Sequence, residues 1–156
     1  MDRKTTSAQA DRHYLLIRSA GLRCALPAPS VRRVVRDLAS YPLAGSRPHL
    51  LGLSQYGGEP LAIVDLHALL TGSRPRPDHR TTLIVKPPRG PLRGNLGLAV
   101  DEAVSVIRLD HDDRSSEGAA LVAAEINHDG GPLLILTPAV LFDDDWQSTE
   151  GVDGRR

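Results

Sequence analysis

The stretch "YGGEPLAIVDLHALL", from Tyr56 to Leu70, returns 72 residues later as "HDGGPLLILTPAVLF". Gly58 lies over Gly130, Pro60 over Pro132, Leu61 over Leu133, Ile63 over Ile135 and Leu69 over Leu141. Asp65 and Thr137, both good helix caps, also coincide. Each copy reads as strand, glycine turn, strand and short helix. Two copies of one supersecondary unit constrain the fold more than any single residue does. The simplest architecture is a pair of related small β-barrels, one per half of the chain, joined near residues 72–80.

The rest of the chain agrees with a mainly β reading. Tyr14 to Pro27 holds two short apolar runs about a Ser-Ala-Gly turn. "PSVRRVVRDL" fits either a strand or a short helix, with Val31, Val34 and Val35 at helical spacing but β-branched. Strands are expected over 51–56, 61–64, 81–86, 95–100, 104–109, 119–127 and 133–136. Gly57-Gly58 supplies a hairpin turn, because glycine takes positive φ without strain. Asp65 is placed to cap "LHALLT" and Gly72 to close it. Pro138 sits at the first position of the last short helix, where its missing N–H costs nothing. Residues 1–12 are polar and expected to be disordered, 13–142 form the folded domain, and 143–156 form a polar tail.

Composition narrows function by exclusion. Lys+Arg and Asp+Glu both number 19, so net charge is zero and no global field draws the chain to nucleic acid or anionic lipid. Cys24 is the only cysteine, so no intrachain disulfide can form, as expected of a reducing, cytoplasmic setting. No apolar run reaches the ~20 residues of a membrane span, and "MDRKTTSAQADRHY" lacks the apolar core of a signal peptide.

No catalytic constellation emerges. The six histidines are scattered, and no cysteine pair exists for zinc. His111-Asp112-Asp113 and Asp143-Asp144-Asp145 read as solvated acidic runs, without the glycine and distal glutamate of a calcium loop. Ser54, in "GLSQYG", is not in a nucleophile elbow. "PRGPLRGNLG" matches neither a phosphate loop nor a dinucleotide fingerprint. Expected catalytic, metal and cofactor residues are therefore none. Arg32, Arg33 and Arg36 make a local basic patch, and a nucleic-acid-binding barrel using it is the alternative reading.

At this point the chain resembles the CheW-like family of chemotaxis coupling adaptors, over roughly Tyr14 to Phe142. "YLLIRSAGLRCALPAPSVRRVV" resembles the family's opening strands and V-x-E-I segment. "GLSQYGGEPLAIVDL" is similar, without a gap, to G-V-I-N-L-R-G-x-x-x-P-V-I-D-L. "LGLAVDEAVSVIRL" is similar to G-L-V-V-D-x-V-x-E-V, and "PLLILTPAVLF" to the closing strand and helix. The resemblance implies two small five-stranded SH3-like barrels packed side by side, with short helices and a groove between them. It implies a non-enzymatic adaptor coupling the cytoplasmic tip of methyl-accepting chemoreceptors to the regulatory domain of a CheA-like histidine kinase, in arrays with other CheW-like proteins.

Two departures stand out. The family's arginine in N-L-R-G falls on Gly57, and its glutamate in V-x-E-I falls on Arg33. The family pair is thought to lie close, so their joint change suggests an altered or lost kinase contact. The contact candidates implied by the resemblance are Val31, Arg33, Val34, Gln55, Tyr56, Gly57, Gly58, Val100 and Val104. Direct membrane insertion and nucleic-acid binding are not expected of such an adaptor.

Overall fold

The computed structural model describes residues 13–43, 49–76, 81–88, 94–110 and 120–142. The two expected polar termini and the acidic run at 111–113 lie outside the described residues. The strands are β1 (His13–Ser19), β2 (Leu22–Pro27), β3 (Val31–Arg36), β4 (Leu50–Tyr56), β5 (Glu59–Asp65), β6 (Thr81–Val85), β7 (Leu96–Val100), β8 (Glu102–Arg108), β9 (Val122–His128) and β10 (Gly131–Leu136). Among the described residues one α-helix, α1 (Leu66–Thr71), follows β5, and 3-10 turns occupy Ala28–Ser30 and Pro138–Phe142.

Local chemistry explains these elements. Three hairpins close on two-residue loops, each with positive φ at both positions: Ala20 (57°) and Gly21 (75°), Gly57 (62°) and Gly58 (82°), Asp129 (56°) and Gly130 (82°). That backbone twist matches the twist of the flanking strands. Arg23 reinforces the third loop, donating from Nη2 to the Gly131 carbonyl at 3.0 Å and to the His128 carbonyl. Asp65 caps α1, accepting from the His67 backbone nitrogen at 3.0 Å, and left-handed Gly72 (φ 76°) ends it. The ambiguous "VRRVVR" segment is a strand, the state its β-branched valines favour.

The strands form two five-stranded sheets, ordered β8-β1-β2-β10-β9 and β3-β6-β7-β5-β4. This corrects the expectation of one barrel per half. β2 passes through the turn at Ala28–Ser30 into β3, which pairs with β6 in the other sheet. β7 passes through Asp101 into β8, which pairs back with β1. Each half of the chain therefore gives two strands to one sheet and three to the other. Residues 72–76 connect elements of a single sheet and are not a joint between subdomains. The sequence repeat itself is real: β5 and β10, its equivalent strands, pair in parallel with β7 and β2 respectively. Neither strand order closes on itself, so the SH3-like units are open curled sheets rather than sealed barrels.

Three apolar layers alternate with the sheets. Leu15, Ile17, Cys24 and Leu26 of the first sheet meet Leu83, Val85, Leu98 and Val100 of the second in a shared central core. Tyr14, Ala25, Leu133 and Ile135 fill the concave side of the first sheet. Leu61, Ile63, Ile84 and Ala99 fill that of the second. Successive residues of β1 and β6 thus serve opposite layers, as the two-residue period of a strand requires. Both faces of β6 and β7 are covered, which is why "TTLIV" and "LGLAV" are buried throughout and lack polar alternation. Gly97 fits this dense centre because a Cβ there would approach Ile63 Cγ1 and Thr82 Cγ2 to 3.1 Å.

Candidate functional site

Four strands form sheet edges: β8 and β9 in one sheet, β3 and β4 in the other. β3 and β8 are the most exposed strands of their sheets. Cross-strand partners share a sheet face. Val34 stands opposite Leu83 and Val106 opposite Leu15, and both partners belong to the central core. Val34 (41% exposed) and Val106 (59%) therefore lie on the inter-sheet faces of their strands, where the central core reaches solvent. Val104, the extra residue where β8 bulges against β1, is 42% exposed. The turn at Ala28–Ser30 packs on β1, so β3 starts beside the sheet that β8 edges.

The residues singled out from sequence divide into three groups. Val34 and Val104 are exposed on these edges, and Val31 is half-buried against the central core. Val100 is fully buried in that core and cannot wall a groove. It is correctly placed on a strand, but that strand is covered on both faces. Gln55, Tyr56, Gly57 and Gly58 gather at the β4–β5 turn, where Tyr56 packs partly on the inner core of its sheet. Gln55 also lines a shallow cleft with Leu38, Tyr41 and Leu53.

Arg33 is exposed on β3, whereas Gly57 is at the tip of the β4–β5 hairpin. These are the opposite edges of one sheet, with β6, β7 and β5 between them in the ladder. A Cβ on Gly57 would have nothing within 4 Å, so a side chain there would project into solvent. The uncharged tip already has a local cause in the positive φ of both turn residues. Arg32, Arg33 and Arg36 are all exposed, and Arg32 Nε donates to Asn95 Oδ1 at 3.2 Å. Sequence reasoning missed Val106; its alternation with Val104 on a strand ending in Arg108 was the available signal.

Among the described residues, no three His, Cys, Asp or Glu side chains gather as a metal site. Burial pushes the Cys24 thiol up to about 12, so it is held as the unreactive protonated form. A cleft of about 380 Å³ is lined by Pro27, Pro29, Pro87, Pro88, Pro138 and Lys86, and it holds none of the expected contact residues. Among the described residues, no helix is long and apolar enough to cross a membrane. The candidate site is a surface of exposed valines and arginines and a hairpin turn.

Two open five-stranded sheets that exchange strands, with exposed valines on their edge strands, define a class of β scaffold. The CheW-like domain family matches residues 13–145, and the chain belongs to that family. CheW-like domains are scaffold modules of chemotaxis signalling. A similar fold is seen in the crystal structure of the scaffolding protein TtCheW from Thermoanaerobacter tengcongensis. That match has a TM-score of 0.67 at 20% sequence identity, covering 85% of this chain and 88% of the other. No curated protein matches the chain.

Proposed function

We propose that this protein is a non-enzymatic adaptor coupling methyl-accepting chemoreceptors to a CheA-like histidine kinase, with an altered or lost kinase contact. The observation that carries the adaptor reading is the pair of exposed valine edges, Val34 on β3 and Val104 with Val106 on β8. An amphipathic helix from a receptor tip would lay its apolar stripe across such aliphatic walls. Arg33 at the rim would choose among partners by charge, since like charges brought together at an interface cost on the order of several kcal/mol. The altered kinase contact is motivated by the joint departures at Arg33 and Gly57. The protein would work in the cytoplasm, recruited to receptor arrays with other CheW-like proteins.

Pull-down with the cytoplasmic tip of the cognate receptor and, separately, the kinase regulatory domain tests the reading. Receptor capture that Val34→Glu or Val104→Glu abolishes is expected, with weak kinase capture. Failure to capture the receptor would sink the adaptor assignment; tight kinase capture would sink only the altered contact. The exposed Arg32, Arg33 and Arg36 keep a nucleic-acid reading open to test, and salt-insensitive absence of binding removes it.

A further inference from the structure

We infer that the proline-lined cleft is the docking site of this chain's own C-terminal segment, residues 145–148, with Trp146 as the anchor. The internal repeat points to it. In the first copy the segment leaving α1 turns back and is held at three points. Ser73 Oγ lies 3.0 Å from His67 Nδ1, the Arg76 backbone nitrogen donates to Asp65 Oδ2 at 2.7 Å, and Arg76 Nη2 donates to Asp101 Oδ1 at 2.9 Å. At the repeat's offset of 72, Thr137 stands for Asp65 and Ala139 for His67. β5 pairs with β7 in parallel, Ala62 on Leu96, as β10 pairs with β2, Leu134 on Cys24, so Pro29 stands for Asp101. Thr137, Ala139 and Pro29 all line the cleft. The cleft thus occupies the place where the first copy seats residues 73–76, and the same offset assigns residues 145–148 to it.

Wall and occupant change character together. The first wall, Asp65, His67 and Asp101, is polar and holds Ser73 and Arg76. The second is Thr137, Ala139 and Pro29, with Pro27 and Pro138 beside them, and its segment carries Trp146 where the first has Arg74. Proline rings and aromatic faces are matched surfaces in peptide recognition. At about 380 Å³ the cleft has room for one indole, but not for a helix about 10–12 Å across. The chain can reach it. Ala139 to Phe142 spans roughly 6 Å of 3-10 turn, and the four residues from Phe142 to Trp146 span up to about 13 Å. Asp143, Asp144 and Asp145 would then approach exposed Lys86 on the cleft wall, of opposite charge. The cleft shares no residue with the valine edges, so this inference stands without the adaptor reading.

Trp146 is the only tryptophan, so its fluorescence reports on the segment alone. In the full chain its emission should be blue-shifted from that of the urea-unfolded protein, and acrylamide should quench it several-fold less, at every protein concentration. Ala139→Glu sets bulk and a like charge before the three aspartates, and should return emission and quenching to the unfolded values. Ala139 is exposed, so the fold tolerates the change. Lys86→Glu should raise quenching, and Lys86→Arg should leave it as in the parent. A native emission equal to that of the unfolded chain overturns the inference. So does protection that survives Ala139→Glu, which puts Trp146 elsewhere, or protection that appears only as concentration rises, which gives the cleft to the tail of a second copy.

Discussion

Asp65 Oδ2 accepts a hydrogen bond from the backbone nitrogen of Arg76 at 2.7 Å, eleven residues further along the chain. Its other oxygen accepts from His67 at the start of α1. One fully buried carboxylate therefore caps the helix and ties down the segment that leaves it. The same segment is held a second time, by Arg76 Nη2 on Asp101 Oδ1 at 2.9 Å, an exposed pair that contributes little by itself.

Asp65→Ala removes the cap and leaves buried donors unpaired. It should cost about 2–4 kcal/mol in urea unfolding, the sum of a lost cap and an unsatisfied group. Asp65→Asn keeps one acceptor and should cost visibly less. Equal stability of the alanine variant and the parent would refute this role.

Gly52 lies under the backbone of Tyr41. A Cβ there would collide with the Tyr41 carbonyl oxygen and come within 2.8 Å of its carbon. Gly52→Ala should destabilise by about 1–3 kcal/mol and expose the β4 edge, because backbone cannot yield as a side chain can. Gly97→Ala meets only side-chain atoms at 3.1–3.2 Å and should cost less. Thermal melts of the two variants check the order.

Cys24 makes a pH prediction. Its thiol is pushed up to about 12 in the folded protein, from 9.0 as the ordinary value. The folded state then holds its proton over a window where the unfolded chain has released it. The stability this confers is complete below the unfolded value and falls as pH rises from about 9 towards 12. At pH 8 a thiol reagent should label Cys24 only as fast as the chain opens. Rapid labelling of the native protein would contradict the burial.

Gly57→Arg restores the residue typical of the family at the hairpin tip. The side chain meets open space, but a non-glycine residue at φ 62° carries a backbone cost of roughly 1–2 kcal/mol. A modest drop in melting temperature is expected, with any gain in kinase capture reporting on the tip alone. If capture rises only when Arg33→Glu is also present, the two positions act together despite lying on opposite edges.

Much of the fold is written in local chemistry. Paired positive-φ sites at Gly57-Gly58 and Asp129-Gly130, and the Asp65 and Gly72 boundaries of α1, follow from turn and capping rules that act within a few residues. The contact surface is less legible. Val34, Val100 and Val104 look alike in sequence, yet Val100 is buried and the other two are not. The difference is the number of neighbouring strands: β7 lies between β6 and β5, while β3 and β8 have one partner each.

The amino-acid sequence by itself determined the repeat, the hairpins, the capped helix and the aliphatic nature of the core. Only the tertiary structure decided that the two halves exchange strands, with β3 joining β6 and β8 joining β1. The reason is physical. A strand's two-residue alternation says which face is buried but not which strand lies beside it, because backbone ladder bonds are the same for every partner. Pairing is settled by the sum of long-range packing in the shared central core, where Leu15 and Leu26 meet Leu83 and Leu98 from the other sheet.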